Sequence, residues 1–223
     1  MGEPVVRRAR HDEIPDLAAL LARAFVRDSF FAWLAGDAPE RNLRMRLGWS
    51  GILRHASAAL RETWTTDDRA GVAIWLPPDG RASSLLDSLR MVPALAKLTG
   101  WRRLREVTAA MEYIEAHRRR LMPGPHWYLS ALGVKPDRQR QGVGSALLGP
   151  VLVRADAEGT PAYLETATAH NVLLYERHGF EVVEDLILPK TDVRGWLMLR
   201  PPMASAAPPA GAASGHPSPR GRG

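Results

Sequence analysis

No other part of this 223-residue chain constrains its fold as much as the stretch from Trp127 to Ala157. Trp127-Tyr128-Leu129-Ser130-Ala131-Leu132-Gly133-Val134 is an apolar run suited to a strand buried on both faces. A glycine-containing turn follows, Gln139-Arg140-Gln141-Gly142-Val143-Gly144, and then a helical pattern to Ala157 with Val143, Leu147, Val151 and Ala155 as its apolar stripe. A buried strand that passes through glycines into a helix belongs to a mixed α/β architecture around a central twisted sheet. Pro150 lies inside the helical pattern, where it removes one backbone bond, so a bend is expected there.

The flanking sequence supports the same class. Val5 to Ala9 reads as a strand, and Asp12-Glu13-Ile14-Pro15 opens a helix carrying Leu17, Leu20, Leu21 and Ala24. From Asp28 to Leu60 the pattern is helical, with a break around Gly36, Asp37 and Pro39. Glu62–Thr66 and Val72–Leu76 read as a hairpin that ends at Pro77, Pro78 and Gly80. A helical insert spans about 81–122, interrupted at Pro93 and Gly100. Pro161–Glu165 reads as a strand and Asn171–His178 as a short helix closed by Gly179. The final strands are Phe180–Leu188 and Gly195–Leu199. One domain over residues 1–200 is expected, and 201–223, rich in Pro, Ala, Gly and Ser, reads as a disordered tail.

Composition removes several functional classes. The chain has no cysteine, which excludes disulfides, thiolate zinc sites and a cysteine acyl-enzyme. Neither a signal core nor a membrane-spanning run is present, and Val6 breaks the myristoylation pattern, so a cytoplasmic protein without membrane association is expected. His55, His117, His126, His170 and His178 lack metal-ligand spacing, and no metal is expected. The charge of +6 is mild. Its clusters, Arg102, Arg103 and Arg105 and then Arg118, Arg119 and Arg120, read as solvated helix faces, so nucleic-acid binding is not expected. Among the seven tryptophans, Trp33, Trp49, Trp75 and Trp101 read mostly as core, with an aromatic acceptor pocket as the other use.

Chemistry concentrates at the Gln139–Gly144 turn. Glycines let the backbone approach a ligand closely, and the free amides at a helix N-terminus suit a pyrophosphate. Arg140 adds a charged donor. Leu147 stands where a Rossmann fingerprint needs a third glycine, and the Gly-Lys-Ser/Thr of a P-loop is absent. Glu165 ends a central strand, where ligands of open α/β sheets bind, and a carboxylate there can take a proton from an ammonium. A carboxylate that merely holds the strand end, with a water chain as base, is the alternative. Asn171 and Tyr175 are four apart and share a helix face, and Asn171 also sits where an N-cap belongs.

The QxxGxG turn after a buried strand, with Asn171 and Tyr175 downstream, resembles the GNAT superfamily of N-acetyltransferases. Trp127–Val134, Leu164-Glu165-Thr166, Asn171 through Tyr175-Glu176-Arg177, and Gly179-Phe180 look most like the puromycin N-acetyltransferase branch. The resemblance implies a mostly antiparallel twisted sheet flanked by helices, with acetyl-CoA as co-substrate. It implies that the strand at Leu132, Gly133 and Val134 splays from its neighbour and offers its backbone to the pantetheine arm. Gln139, Arg140, Gln141, Gly142, Val143, Gly144 and Ser145 would then hold the pyrophosphate, and Asn171 would touch coenzyme A. Tyr175 would protonate the departing thiolate. The expected reaction is direct acetyl transfer to a small-molecule amine, an aminonucleoside such as puromycin being one candidate. Acetylation of a protein lysine or N-terminus remains open, as does a non-catalytic acyl-CoA sensor.

Overall fold

The computed structural model describes residues 4–36, 40–59, 62–78 and 85–203, apart from the side chains of 55–59 and 85–91. Asp37, Pro39, Gly80, the His55 side chain and the tail from Ala204 onward lie outside the described residues.

Seven strands form one sheet: β1 Val6–Arg8, β2 Thr63–Thr66, β3 Gly71–Leu76, β4 Trp127–Val134, β5 Ala162–Thr166, β6 Glu181–Ile187 and β7 Arg194–Arg200. Their spatial order is β1-β2-β3-β4-β5-β7-β6, and only the β4–β5 contact is parallel. The expected hairpin is β2–β3, and β4 keeps its expected limits. Among the described residues seven α-helices flank the sheet: α1 Ile14–Ala24, α2 Ser29–Ala35, α3 Arg41–Ala59, α4 Leu85–Thr99, α5 Leu104–Leu121, α6 Val143–Ala157 and α7 Ala169–Glu176.

Two apolar layers sandwich the sheet. On one face α1, α2 and α3, with the insert helices α4 and α5, bury Leu17, Leu21, Met45, Trp49, Leu53 and Val107. The same face continues under α5 toward β5 and β7, where Tyr163, Leu186 and Leu197 are buried. On the other face α6 and α7 cover Trp75, Trp127, Leu164 and Met198. Trp49, Trp75 and Trp127 are core as expected, while Trp101 is 73% exposed.

Close packing of α6 depends on Gly71. A Cβ there would lie 2.7 Å from Leu147 Cδ1 and 3.0 Å from the Gly133 carbonyl, closer than side chains approach. The helix runs through Pro150 without interruption, because its stripe, Val143, Leu147, Leu148, Val151, Leu152 and Ala155, is fully engaged with the sheet. Burial of six apolar residues outweighs the roughly 3 kcal/mol that an interior proline costs. Pro93 is likewise carried inside α4, and the insert breaks at Gly100, whose φ of +78° suits glycine.

Candidate active site

The strand-to-helix segment opens a gap in the sheet. Strand β4 pairs with β5 only over Trp127↔Ala162, Tyr128↔Tyr163 and Leu129↔Leu164. Just beyond, its pairing with β3 shifts from Trp75↔Leu129 to Ile74↔Ala131, which leaves Ser130 as an extra residue. A bulge of this kind bends the strand that carries it. From Ala131 to Val134, β4 stays on β3 while β5 continues beside β7 through Glu165 and Thr166. The splaying that the resemblance implied therefore begins at a bulge that the sequence reading did not anticipate.

Pairing geometry identifies the backbone groups on the open edge. Lys135 N–H donates to Ala70 O at 2.8 Å, so the Val72↔Gly133 pair, two residues in, also bonds toward β3. The N–H and C=O groups of Leu132 and Val134 then point the other way, into the gap. Gly133 faces α1, where a Cβ would fall 2.6 Å from Leu21 Cδ2.

The N-terminus of α6 meets this edge. Gly142 is its N-cap at φ +81°, and Arg140 is also left-handed at φ +60°. Ala146 N–H is the first amide of the helix to find a partner, at Gly142 O, which leaves the N–H groups of Val143, Gly144 and Ser145 without backbone partners among the described residues. A Cβ on Gly142 would meet nothing within 4 Å, so the approach to these amides is open. A Cβ on Gly144 would lie 3.5 Å from Leu174 Cδ2, 3.9 Å from Leu132 Cδ2 and 3.9 Å from Val134 Cγ2, which puts the helix start, α7 and the open edge together. Gln139 Nε2 donates to Val134 O at 3.3 Å and Gln141 Nε2 to Asp137 O at 2.9 Å, so these two side chains shape the turn. Free amides, an exposed Arg140 and a positive helix end fit a pyrophosphate, and a free strand edge fits an extended amide-bearing arm. The arrangement suits coenzyme A.

Helix α7 supplies the tyrosine. Tyr175 is 5% exposed, lies edge-on to Phe180 with ring centroids 5.9 Å apart, and packs among the α6 and α7 residues. Burial and, after it, the Asp28 charge raise its hydroxyl pKa, so the phenol stays protonated. Asn171 is not the N-cap expected from sequence: Thr168 holds that position and its C=O accepts the Asn171 N–H, leaving Asn171 half-buried in the first turn. The chain turns into the helix two residues earlier because Thr166 Oγ1 accepts the Thr168 N–H at 3.3 Å.

Glu165 stands on the opposite face of the sheet from Tyr175. It pairs with Leu197, which shares a buried cluster with Tyr163 beneath α5. Its Oε1 and the Tyr163 hydroxyl are both sealed from solvent without a hydrogen-bond partner. Burial pushes the Glu165 carboxyl up to about 7, held back by the Tyr128 hydroxyl, the Arg118 charge and the Tyr163 hydroxyl.

Three neighbours escaped the sequence reading. Asp28 caps α2 by accepting the Phe31 N–H at 3.1 Å, and it also accepts the Thr168 hydroxyl at 2.9 Å, tying α2 to the loop between β5 and α7. The pattern Asp28-Ser29-Phe30-Phe31 is an N-cap signal that would have marked it. Tyr163 lies two residues before Glu165, the spacing that puts both on one strand face. Arg118 was expected on a solvated helix face, yet its side chain is 19% exposed and its guanidinium lies 4.9 Å from the Tyr128 ring centroid. Arg103 also turns inward, stacking on Trp33 and donating to the Trp33 carbonyl, because both aromatics offer faces that a guanidinium can cover. Arg119, at 74% exposed, does occupy a solvated face. Among the described residues no three His, Asp or Glu side chains group as metal ligands, and no helix is long and apolar enough to cross a membrane.

Comparison with known proteins places this geometry. Residues 59–180 match the model of the Acetyltransferase (GNAT) family. An uncharacterized N-acetyltransferase of Schizosaccharomyces pombe is 29% identical over 188 residues, covering 82% of this chain and 76% of the relative. Among solved structures, a histone acetyltransferase HPA2 and related acetyltransferase from Corynebacterium glutamicum superposes with a TM-score of 0.67 at 22% identity, over 92% of this chain and 99% of that one. The polyamine N-acetyltransferase of Drosophila melanogaster has the same fold, with a TM-score of 0.59 at 16% identity over 89% of this chain and all (100%) of that one. The chain belongs to the GNAT acetyltransferase family and is an acetyl-CoA-dependent acyltransferase that acts on amines.

Proposed function

We propose that the chain acetylates a small-molecule amine by direct transfer through the gap between β4 and β5. The observation that carries this reading is the placement of two titratable groups on opposite faces of the sheet at that gap: the buried phenol of Tyr175 beside α6, and the half-buried carboxylate of Glu165 on the α5 side. Acetyl-CoA, when bound, supplies an activated acetyl thioester. The free amides of Val143, Gly144 and Ser145, with Arg140, hold its pyrophosphate, the Leu132 and Val134 backbone binds its arm, and Asn171 borders it.

On the other face the acceptor ammonium loses its proton to Glu165, whose carboxyl near 7 is poised to accept it at neutral pH. The unbonded N–H groups of Leu132 and Val134 face the charge that develops on the carbonyl oxygen. The amine nitrogen bonds to the carbonyl carbon, the C–S bond breaks, and Tyr175, kept neutral by burial, gives its proton to the departing sulfur and is restored by the proton that the nitrogen sheds on becoming the amide. No covalent enzyme intermediate is needed, and both substrates meet in one ternary complex.

The setting of Glu165 favours a small acceptor. The residue is half-buried and its Oε1 is shielded from solvent on the α5 side of the sheet, which suits a compact amine better than a protein surface. The puromycin-like segments make an aminonucleoside the first acceptor to try. The catalytic unit is assigned to residues 1–200, with the insert of about 81–122 over the acceptor side and 201–223 as an appended tail.

Thiol release from acetyl-CoA against puromycin, aminoglycosides, polyamines and peptides tests the reading. Release with a small amine and none with peptides is expected. Peptide-only release would move the assignment to a protein acetyltransferase, and coenzyme A binding with no release from any amine would leave a sensor.

A further inference from the structure

Helix α7 is held by its ends more than by its face. It has eight residues and buries one side chain, that of Tyr175, while Leu173 is 54% exposed. A helix of two turns is marginal by itself, so contacts outside it decide where it lies. Its C-terminal end is fixed by a tight turn, in which the Tyr175 carbonyl accepts the His178 N–H at 2.9 Å and the Phe180 N–H at 3.1 Å. Its N-terminal end starts at Thr168, whose carbonyl accepts the Asn171 N–H at 2.9 Å. The Thr168 side chain does not cap the helix. Its hydroxyl is donated instead to Asp28 Oδ2 at 2.9 Å.

Asp28 is committed on both oxygens. Oδ1 accepts the Phe31 N–H at 3.1 Å and so caps α2, and Oδ2 holds Thr168. Beside this bond the Ser29 hydroxyl donates to the Ala167 carbonyl at 3.2 Å. Asp28 and Thr168 are both half-buried, and a hydrogen bond to a carboxylate is stronger than one between neutral groups. The two helices come from opposite faces of the sheet. Phe30 and Trp33 of α2 pack in the layer of Tyr163 and Leu197, whereas Tyr175 of α7 packs in the layer of Trp127 and Leu164. One carboxylate therefore joins the starts of both helices, just past the C-terminal end of β5 and beside the gap.

We propose that Asp28 and Thr168 are positioning residues for the acid step: their hydrogen bond fixes the start of α7, and with it the reach of the Tyr175 hydroxyl toward the departing sulfur. This rests on Tyr175 being the acid, as proposed above, and the two ideas separate experimentally. Proton transfer in a ternary complex tolerates little displacement, since a shift of about 1 Å can cost on the order of 10²-fold in rate. A merely structural tie would add stability and leave the chemical step as it is.

Thr168→Val tests the bridge directly. It removes the hydroxyl, keeps the branched shape, suits the extended backbone at φ −121° and ψ 109°, and costs α7 no side-chain cap. Thiol release is measured on the full chain with saturating acetyl-CoA and whichever amine of the panel above turns over fastest. In Thr168→Val kcat should fall about tenfold with coenzyme A affinity within about twofold, and Thr168→Ser should restore the rate. Asp28→Asn leaves one carbonyl oxygen for two donors and should also lose rate at equal affinity, so it carries the test should Thr168→Val fail to fold. In a Tyr175→Phe background, where no proton is left to aim, Thr168→Val should change kcat by less than about twofold. An unchanged kcat in Thr168→Val, or a loss just as large in the Tyr175→Phe background, overturns the inference while Tyr175 keeps its role. If Tyr175→Phe alone retains the full rate, the acid assignment fails and the positioning role falls with it.

Discussion

Replacing Glu165 with Gln tests proton removal with a magnitude the structure supplies. With the carboxyl at about 7, roughly nine-tenths of Glu165 is protonated at pH 6 and about nine-tenths is ionised at pH 8. If the carboxylate form accepts the ammonium proton, the Glu165 contribution to kcat/KM for the acceptor, at saturating acetyl-CoA, rises about tenfold between those values, with a midpoint near neutrality. Gln keeps the shape of the side chain and removes its basicity, so the loss at pH 8 should be on the order of 10² to 10⁴-fold, or about 3 to 5 kcal/mol of transition-state stabilisation. The limb itself should vanish in the variant. Initial rates of thiol release across pH 5.5 to 9, roughly the window that brackets this carboxyl, give both quantities. A variant that keeps the limb and loses less than about tenfold in rate refutes the reasoning, and assigns proton removal to a water chain.

Two other substitutions test the frame. Glu13 is buried and bonded to Arg7 at 2.8 and 2.6 Å, which together with the Arg10 N–H lowers its carboxyl from 4.5 to about 2. A carboxyl depressed in the folded state stabilises above its ordinary value and loses that contribution as pH falls toward 2. Urea unfolding should therefore show Glu13→Gln less stable by about 3 kcal/mol at pH 7 and by about half that at pH 3, whereas a pH-independent deficit would contradict the assignment. Gly142→Ala meets no steric obstacle but must hold φ +81°, so a stability loss of about 1 kcal/mol and weaker coenzyme A binding are expected by thermal melting and calorimetry. Unchanged affinity would remove the α6 N-terminus from the site.

What was legible in the sequence was local. Strand β4, the glycine turn and α6 declared themselves because period, length and turn chemistry agreed over thirty-one residues, Trp127 to Ala157. The N-cap reading of Asn171 failed because an N-cap preference was weighed without Thr166 and Thr168, whose hydrogen bonds start the helix earlier. Arg118 could not be placed because the charge run 118–120 gives no sign of which member turns toward β4. That choice is made by the Tyr128 ring and by His126, which reach it through the fold. The Ser130 bulge was equally hidden, since it is a mismatch between two strands more than fifty residues apart. In general the elements could be read from periodicity, whereas the site depends on pairings across the sheet that a single segment does not encode.

Acetyl transfer in the β4–β5 gap with Tyr175 as the acid stands or falls on the phenolic hydroxyl. Thiol release by Tyr175→Phe should be compared with the unsubstituted enzyme on whichever amine proves active, with coenzyme A affinity measured alongside. A fall in kcat of about 10²-fold or more with affinity unchanged is expected, because Phe fills the same buried space and lacks only the hydroxyl that carries the proton. A kcat that stays within about threefold of the unsubstituted enzyme, at equal affinity, would contradict it.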